Sequence, residues 1–311
     1  MTAIYSIKDR KTARETFKIT ICLALFVFAI YFAGPVKDGV IYGFKICVFN
    51  ILPTLFPFFI LSDLWNSVIR LRKDSIAAKC FESLFGINGE GMSSFVLGSL
   101  CGFPLGIKSA TEKYKDGLID KEELEALSAI SNNPSFAFVI SGVGMGLFSS
   151  FKIGIILYFS VLLSASAVGF IFKSKVKKAQ IQRENTQQSF NLVESIKHAG
   201  HSSITVSSYI IFFSGIIGVI KKMIDTPIVI SVISSFLEIG SACNIIREQS
   251  EHLGYLSMPL IAFSLGFSGL SVFLQAFSFL PSNISKSKYL YKKFLQGILS
   301  AVITTIFYFI M

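Results

Sequence analysis

The sequence predicts an all-α fold, a polytopic membrane helical bundle in which some helices are broken or re-entrant. Of the 311 residues, 52% are hydrophobic and only 15% are charged, whereas soluble domains carry about 25% charged residues. Glycine, proline and asparagine interrupt several apolar runs, although an ordinary spanning helix has no need of them. The long stretches without Asp, Glu, Lys or Arg are 19–36, 46–62, 91–107, 126–151, 153–172, 202–220, 254–285 and 294–311.

The charge distribution predicts how the chain lies in the lipid bilayer, its expected main partner. The net charge is +10, and basic residues cluster at 8–18, 70–79, 173–183 and 286–293. Basic loops favour the cytoplasmic side, so we expect a multi-pass protein of the cell membrane with a cytoplasmic N-terminus. The run 19–36 is longer than a signal-peptide core and no convincing cleavage site follows it, which predicts a first span. Because the charges are divided among short loops, we expect no nucleic-acid partner.

The hydrophilic stretch 173–200 is expected to be a basic cytoplasmic linker between two membrane halves, 1–172 and 201–311. Each half contains an apolar helix followed by two interrupted segments. These segments are 102–106 and 131–138 in the first half, and 237–244 and 264–275 in the second. Broken segments at matching places in two halves are typical of transporters with inverted internal repeats and a midplane site. Chance similarity between hydrophobic segments is the alternative to a repeat.

The first interrupted segment contains Gly102, Pro104 and Gly106, and Lys108 follows it. Proline and glycine release backbone groups, which lipid cannot satisfy, so such a segment is expected inside protein or beside a wet cavity. The end of a half-helix there would offer N–H groups to an anion, and Lys108 would strengthen that preference. We therefore consider these four residues substrate-binding candidates. The alternative is a kinked span whose lysine extends to the membrane surface.

The second interrupted segment, 131–135, places two asparagines before a proline. The residue before proline avoids helical geometry, so the helix is expected to break at Asn133. Asparagine both donates and accepts hydrogen bonds, and Asn132, Asn133 and Ser135 are candidates to bind a polar ligand. Alternatively, Asn132 caps a helix that starts near Pro134. Between the two segments, Asp120 and Glu123 predict a capping box at the start of a short surface helix.

Two carboxylates in apolar surroundings, Asp63 and Glu238, are candidates for ion or proton coupling, because an ionisable residue inside a membrane is costly. Asp63 precedes Arg70 closely and alternatively faces the membrane surface. Glu238 adjoins a break that supplies two substrate-binding candidates, Ser241 and Asn244.

In the last broken segment, Ser268 and Gln275 are candidates for a polar lining, although small residues there also favour close helix packing. The five cysteines and three histidines show no ligand spacing, so we expect no metal site and no cofactor. We also expect no enzyme, since no catalytic motif is visible.

Residues 99–148 resemble the nucleoside-recognition, or Gate-domain, family, in particular its sporulation integral membrane proteins of the YlbJ type. The resemblance centres on 91–148 and extends to the sequences LEIGSACN and GFSGLSVFLQ in the second half. Ser131 stands where the family usually has cysteine, and Phe273 stands near a position often held by histidine. The residues that match the family motifs G-[YF]-P-[VM]-G-[AS]-K and C-N-N are Gly102, Phe103, Pro104, Gly106, Lys108, Asn132, Asn133 and Phe136.

The resemblance implies a multi-pass transporter of an endospore-forming bacterium, in the cell membrane or in a forespore membrane. The sporulation branch is associated with supplying dipicolinate to the developing spore. The residues favour a carrier of a small polar, anionic metabolite, with Na⁺ or H⁺ coupling open. A nucleoside carrier and a non-transporting scaffold or assembly factor of the spore envelope are the alternatives. Whether the chain forms a homo-oligomer is also open.

Overall fold

The computed structural model describes residue 16 and residues 18–24, 26–68, 75–174 and 191–310. These residues form helices joined by short turns, and no β-strand occurs among them, which confirms the all-α prediction. Two π-helical segments interrupt the series, Cys47–Ile51 and Phe138–Leu147. The helices are α1 (Lys18–Tyr31), α2 (Ala33–Ile46), α3 (Leu52–Val68), α4 (Ile76–Phe85), α5 (Met92–Cys101), α6 (Leu105–Lys115), α7 (Lys121–Ser131), α8 (Phe151–Ile171), α9 (Leu192–Met223), α10 (Pro227–Leu237), α11 (Ile239–Glu248), α12 (Ser250–Leu253), α13 (Ser257–Phe267), α14 (Gly269–Phe279) and α15 (Lys286–Ile310).

Within the described residues, three helical stretches are long and apolar enough to cross a membrane: α8, α9 and Ser250–Phe279. The bent pair α1 and α2 makes a fourth if it is counted as one span. Three further apolar helices are too short, because a span needs about 20 residues. They are Leu55–Leu64, Phe138–Leu147 and Pro227–Leu237. This mixture of full-length and short apolar helices confirms a membrane helical bundle.

The first predicted span, 19–36, is not one straight helix. The chain bends by 81° between α1 and α2. Pro35 lies in the first turn of α2, where proline is tolerated because the N–H groups of that turn have no partner within the helix. The basic N-terminal residues 1–15 lie outside the described residues.

The order of elements repeats along the chain. In the first series, α5 (10 residues) is followed by α6 (11), α7 (11), the π-helical segment 138–147 (10) and the long helix α8 (21). In the second series, α10 (11) is followed by α11 (10), α13 (11), α14 (11) and the long helix α15 (25). Each series breaks between its first and second members and between its third and fourth.

The stretch 173–200, expected as a linker, contains the start of a helix. Helix α9 begins at Leu192, after Asn191 accepts hydrogen bonds from the backbone N–H groups of Val193 and Glu194. Residues 175–190 of the expected linker lie outside the described residues. The capping box at the start of α7 is confirmed: Asp120 accepts from the Glu123 N–H at 2.8 Å, and Glu123 accepts in return from the Asp120 N–H at 2.7 Å.

Small residues allow the helices to pack closely. A Cβ added at Gly39 of α2 would lie 2.3 Å from the Ser214 carbonyl oxygen of α9, and one at Gly218 would lie 2.3 Å from the Pro35 carbonyl oxygen. Such contacts are the usual basis of helix association in lipid, where burial of apolar groups between helices gives little advantage. The two series also share a hydrophobic cluster, whose buried members are Ile107 and Ala129 from the first and Phe267, Phe273, Ala276 and Tyr289 from the second.

Candidate functional site

The two breaks of the first series touch each other through their backbones. Gly98 and Gly106, on either side of the first break, both face the Ser131 carbonyl oxygen at the end of α7, so that an added Cβ would lie 1.8 or 2.0 Å from it. Gly102 has φ +85°, and a Cβ there would lie 2.5 Å from the Ser135 nitrogen. The buried Pro104 immediately precedes α6. The structure therefore brings together Gly102, Gly106 and Ser135, and it gives the glycines a packing role.

The two breaks of the second series meet in the same way. Gly269, with φ +78°, begins α14, and a Cβ there would lie 3.0 Å from the Leu237 carbonyl oxygen at the end of α10. The neighbouring Ser268 is buried with φ 76°. Glu238, only 3% exposed, accepts hydrogen bonds from the N–H groups of Gly240 (2.9 Å) and Ser241 (2.6 Å). The protein's own carboxylate thus occupies the N-terminus of the half-helix α11.

Asn132 and Asn133 enter a buried polar network with the last helix. The Lys293 ammonium donates to the Asn132 carbonyl oxygen at 2.9 Å and to Oε1 of Gln296 at 2.7 Å. Gln296 Nε2 in turn donates to Oδ1 of Asn133 at 2.8 Å, and Asn132 Nδ2 donates to the Tyr289 hydroxyl at 2.6 Å. All five residues are at most 1% exposed. We name Asn132, Asn133, Tyr289, Lys293 and Gln296 the interior polar network.

The sequence alone does not predict the three members of this network on α15: Tyr289 and Lys293 fall in the basic stretch 286–293, expected to be a cytoplasmic loop, and Gln296 falls in the uncharged run 294–311. A detectable signal was present in the spacing of polar residues along α15. The polar residues of α15 that are at most 1% exposed recur every three or four positions and therefore lie on one helix face. They are Tyr289, Lys293, Gln296, Ser300 and Thr304.

Lys293 is the basic residue of the interior polar network. Its side chain is completely buried, and no carboxylate in the described part of the chain lies within ion-pair distance of its Nζ. Burial of a charged group costs several kcal/mol of desolvation free energy. Only well-placed hydrogen-bond or ion-pair partners can offset this cost. The partners here are neutral oxygens, one of them the carbonyl just beyond the C-terminal end of α7, where the helix dipole is negative.

The predicted candidate Lys108 has a partner inside the protein. Its Nζ lies 2.6 Å from Oδ1 of Asp63, and His198 Nδ1 lies 3.9 Å from the other oxygen of that carboxylate. The structure therefore joins two candidates that are distant in sequence, and the Lys108 charge is already compensated. Beside this pair lies a cavity of about 250 Å³, lined by Lys108, Thr111, Glu112, Lys115, His198, His201, Ser202 and Phe279.

Several buried polar atoms at or near the breaks have no hydrogen-bond partner within the described structure. Gln275 is 1% exposed, and neither its amide oxygen nor its amide nitrogen is bonded. The other such atoms near the breaks or on the polar face of α15 are Ser131 Oγ, Asn132 Oδ1, Ser234 Oγ, Ser241 Oγ, Ser271 Oγ, Ser300 Oγ and Thr304 Oγ1. Two predicted candidates are instead bonded to their own helices, since Ser268 donates to Leu265 and Asn244 to Gly240.

Removal of the Lys108 charge should destabilise the protein. In Lys108→Met, Asp63, whose side chain is 16% exposed, loses its cation, and we expect the free energy of unfolding to fall by about 1–3 kcal/mol. The double variant Lys108→Met/Asp63→Asn should recover part of this loss. Lys221→Met is the matched control, because its ion pair with Glu248 is 44% and 59% exposed and should contribute below about 1 kcal/mol. Equal losses at both sites, measured by unfolding in detergent, would contradict the buried pair.

The fold and the interior polar groups define a class: an all-α integral membrane protein with paired helix breaks around a buried polar network. The chain is 25% identical over 297 residues to the sporulation integral membrane protein YlbJ of Bacillus subtilis (strain 168). This similarity covers 81% of the chain and 72% of the relative. The predicted resemblance to a sporulation membrane protein of the YlbJ type is thereby confirmed. No family model and no solved structure matches, and the Gate-domain label stays a prediction.

Proposed function

We propose that this protein is a membrane carrier for a small polar, anionic metabolite. The single observation that carries the proposal is Gln275, whose amide is buried with both of its polar atoms unbonded. An unsatisfied buried polar group costs about 1–3 kcal/mol, and native structures contain few of them. A bound polar solute would supply hydrogen-bond partners for the Gln275 amide. The unsatisfied amide in the solute-free protein therefore supports a role in solute binding.

The proposed negative charge of the solute rests on the interior electrostatics. Lys293 is a fully buried lysine whose partners are neutral oxygens, and Lys108 is paired with Asp63. The buried carboxylate Glu238 already accepts two backbone N–H groups. Glu238 is held at the N-terminus of α11, whereas no carboxylate of the described residues pairs with Lys293, so Lys293 is the interior basic group that a solute carboxylate would approach.

The paired helix breaks support transport rather than static binding. Broken helices with free backbone groups near a polar site are the usual architecture of carriers that alternate their access between two sides of a membrane. The name of the Bacillus subtilis relative refers to sporulation. We therefore propose dipicolinate as the first solute to test and nucleosides as the second, in a cell or forespore membrane with the N-terminus in the cytoplasm.

Uptake by purified protein in liposomes tests the proposal. Labelled dipicolinate, a nucleoside and an unrelated cation such as choline are offered to liposomes with and without protein. We expect Gln275→Leu to reduce uptake of the transported solute by about tenfold or more, since one lost hydrogen-bonding group in a site can cost this much. Its melting temperature should not fall, because an apolar side chain removes an unsatisfied group. Gln249→Leu, at the end of α11, is the matched control.

Normal uptake by each of the three single variants, Gln275→Leu, Lys108→Ala and Asn133→Ala, would refute the proposed solute-binding site. Absence of uptake of any anion by well-folded protein would favour the alternative, a scaffold or assembly factor of the spore envelope. In that case, substitutions at the breaks should matter only when they reduce the amount of protein in the membrane.

A further inference from the structure

The surroundings of Lys293 have the character of a cation site. Its Nζ lies between a backbone carbonyl oxygen, that of Asn132, and a side-chain amide oxygen, that of Gln296. The Asn132 carbonyl follows the last residue of α7, so it is not used within that helix. Carriers commonly coordinate Na⁺ with unwound backbone carbonyls and the C-terminal ends of half-helices. The same kinds of oxygen surround the lysine here.

The orientation of these oxygens is set by neighbouring hydrogen bonds. Asn133 Nδ2 donates to the Ile130 carbonyl at 2.7 Å, which leaves Asn133 Oδ1 to accept from Gln296 Nε2 at 2.8 Å. Gln296 Oε1 is thereby directed to Lys293. A third oxygen, Oδ1 of Asn132, is buried in the same network without a partner. The network therefore presents oxygens, and no carboxylate among the described residues, to a single positive charge.

We propose that the Lys293 ammonium is a tethered cation that fills an alkali-cation site at the end of α7, so that the protein works without bound Na⁺. The consequence for transport rests on the proposed carrier function, whereas the cation site itself is tested on protein stability. The Lys293 charge is covalently attached to α15 and cannot dissociate as a free ion can. It would therefore hold the C-terminal end of α7 against α15 whenever these two helices are in contact. It would also leave solute movement independent of the Na⁺ gradient.

Removal of the tethered charge should create a vacant cation site. Melting temperatures in detergent are measured for wild type, Lys293→Ala and Lys292→Ala in NaCl, KCl or choline chloride at equal ionic strength. We expect Lys293→Ala to melt below wild type in choline chloride and to recover by about 2–4 °C in an alkali chloride, as for a ligand that binds only the folded protein. Wild type and Lys292→Ala, whose Nζ donates to the Glu125 carbonyl, should not respond.

Two results with wild type and Lys293→Ala would overturn the inference. One is a wild-type protein whose melting temperature or uptake depends on Na⁺. The other is a folded Lys293→Ala variant whose melting temperature is the same in all three salts. If Lys293→Ala does not fold, Lys293→Arg keeps the charge, and it should fold and melt equally in Na⁺ and choline; a Na⁺-dependent Lys293→Arg contradicts the proposal. Alkali-cation rescue without any solute uptake would refute the carrier function while leaving the tethered cation supported.

Discussion

Gly106→Ala is expected to destabilise the protein strongly, and more than an alanine at any glycine of α9. The new Cβ would lie 2.0 Å from the Ser131 carbonyl oxygen and 2.8 Å from the Gly98 Cα. Both are backbone atoms, so no side chain can rotate away and the two breaks of the first series must separate. Overpacking of this kind costs about 3 kcal/mol or more. The melting temperature in detergent and the yield of monodisperse protein should both fall.

Gly200→Ala is the matched control for this variant. Gly200 lies in α9, and nothing lies within 4 Å of an added Cβ. Alanine favours a helix over glycine by up to about 1 kcal/mol, so this variant should melt at the wild-type temperature or above it. If Gly106→Ala behaved like Gly200→Ala, the close contact between the first break and the end of α7 would be wrong.

Glu238→Ala is expected to have the second largest effect. It removes a carboxylate that accepts two hydrogen bonds at the N-terminus of α11, and it leaves the half-buried N–H group of Gly240 and the buried N–H group of Ser241 without that partner. Loss of an exposed N-cap costs about 0.5–2 kcal/mol, and unsatisfied buried donors add to this cost. We expect a loss of about 2–4 kcal/mol in the free energy of unfolding, and Glu238→Gln, which keeps one oxygen, should recover part of it.

A second N-cap in the chain supplies the comparison. Asn191 accepts from the N–H groups of Val193 and Glu194 in the same manner, but it is exposed. Asn191→Ala should therefore cost about 1 kcal/mol. A Glu238→Ala variant no less stable than Asn191→Ala would show that burial adds nothing. If Glu238→Gln melts like wild type but loses uptake, the carboxylate has a coupling role in addition to capping.

The positions of the breaks could be predicted because local chemistry decides them. Gly102 with Pro104, and Asn133 before Pro134, end helices through backbone sterics that need no distant partner. The capping box of Asp120 and Glu123 is equally local and is confirmed. The bend between α1 and α2 is a different case, because the apolar run 19–36 predicts a single span and the structure bends there by 81°.

The partners of the charges could not be predicted in the same way. Lys108 was expected to offer a free positive charge, yet it lies 2.6 Å from Asp63, 45 residues earlier in the chain. Lys293 was assigned to a cytoplasmic loop because it belongs to a run of lysines, yet α15 turns it into the interior, whereas Lys288 remains exposed beside Glu125. A sequence shows that a charged residue is present. The desolvation cost of that charge and its role depend on the groups that surround it in the folded protein.

Hydropathy and backbone sterics act over a few residues, so the membrane class, the all-α architecture and the places where helices break follow from the order of amino acids. The packed helices are needed to show which breaks touch, that Glu238 caps α11, and that Lys293 joins Asn132 and Gln296 in one buried network. Those contacts join residues that lie up to 163 positions apart. They depend on how the helices cross, and the crossing is set by close packing at glycines such as Gly98 and Gly106, whose distant neighbours no local pattern reveals.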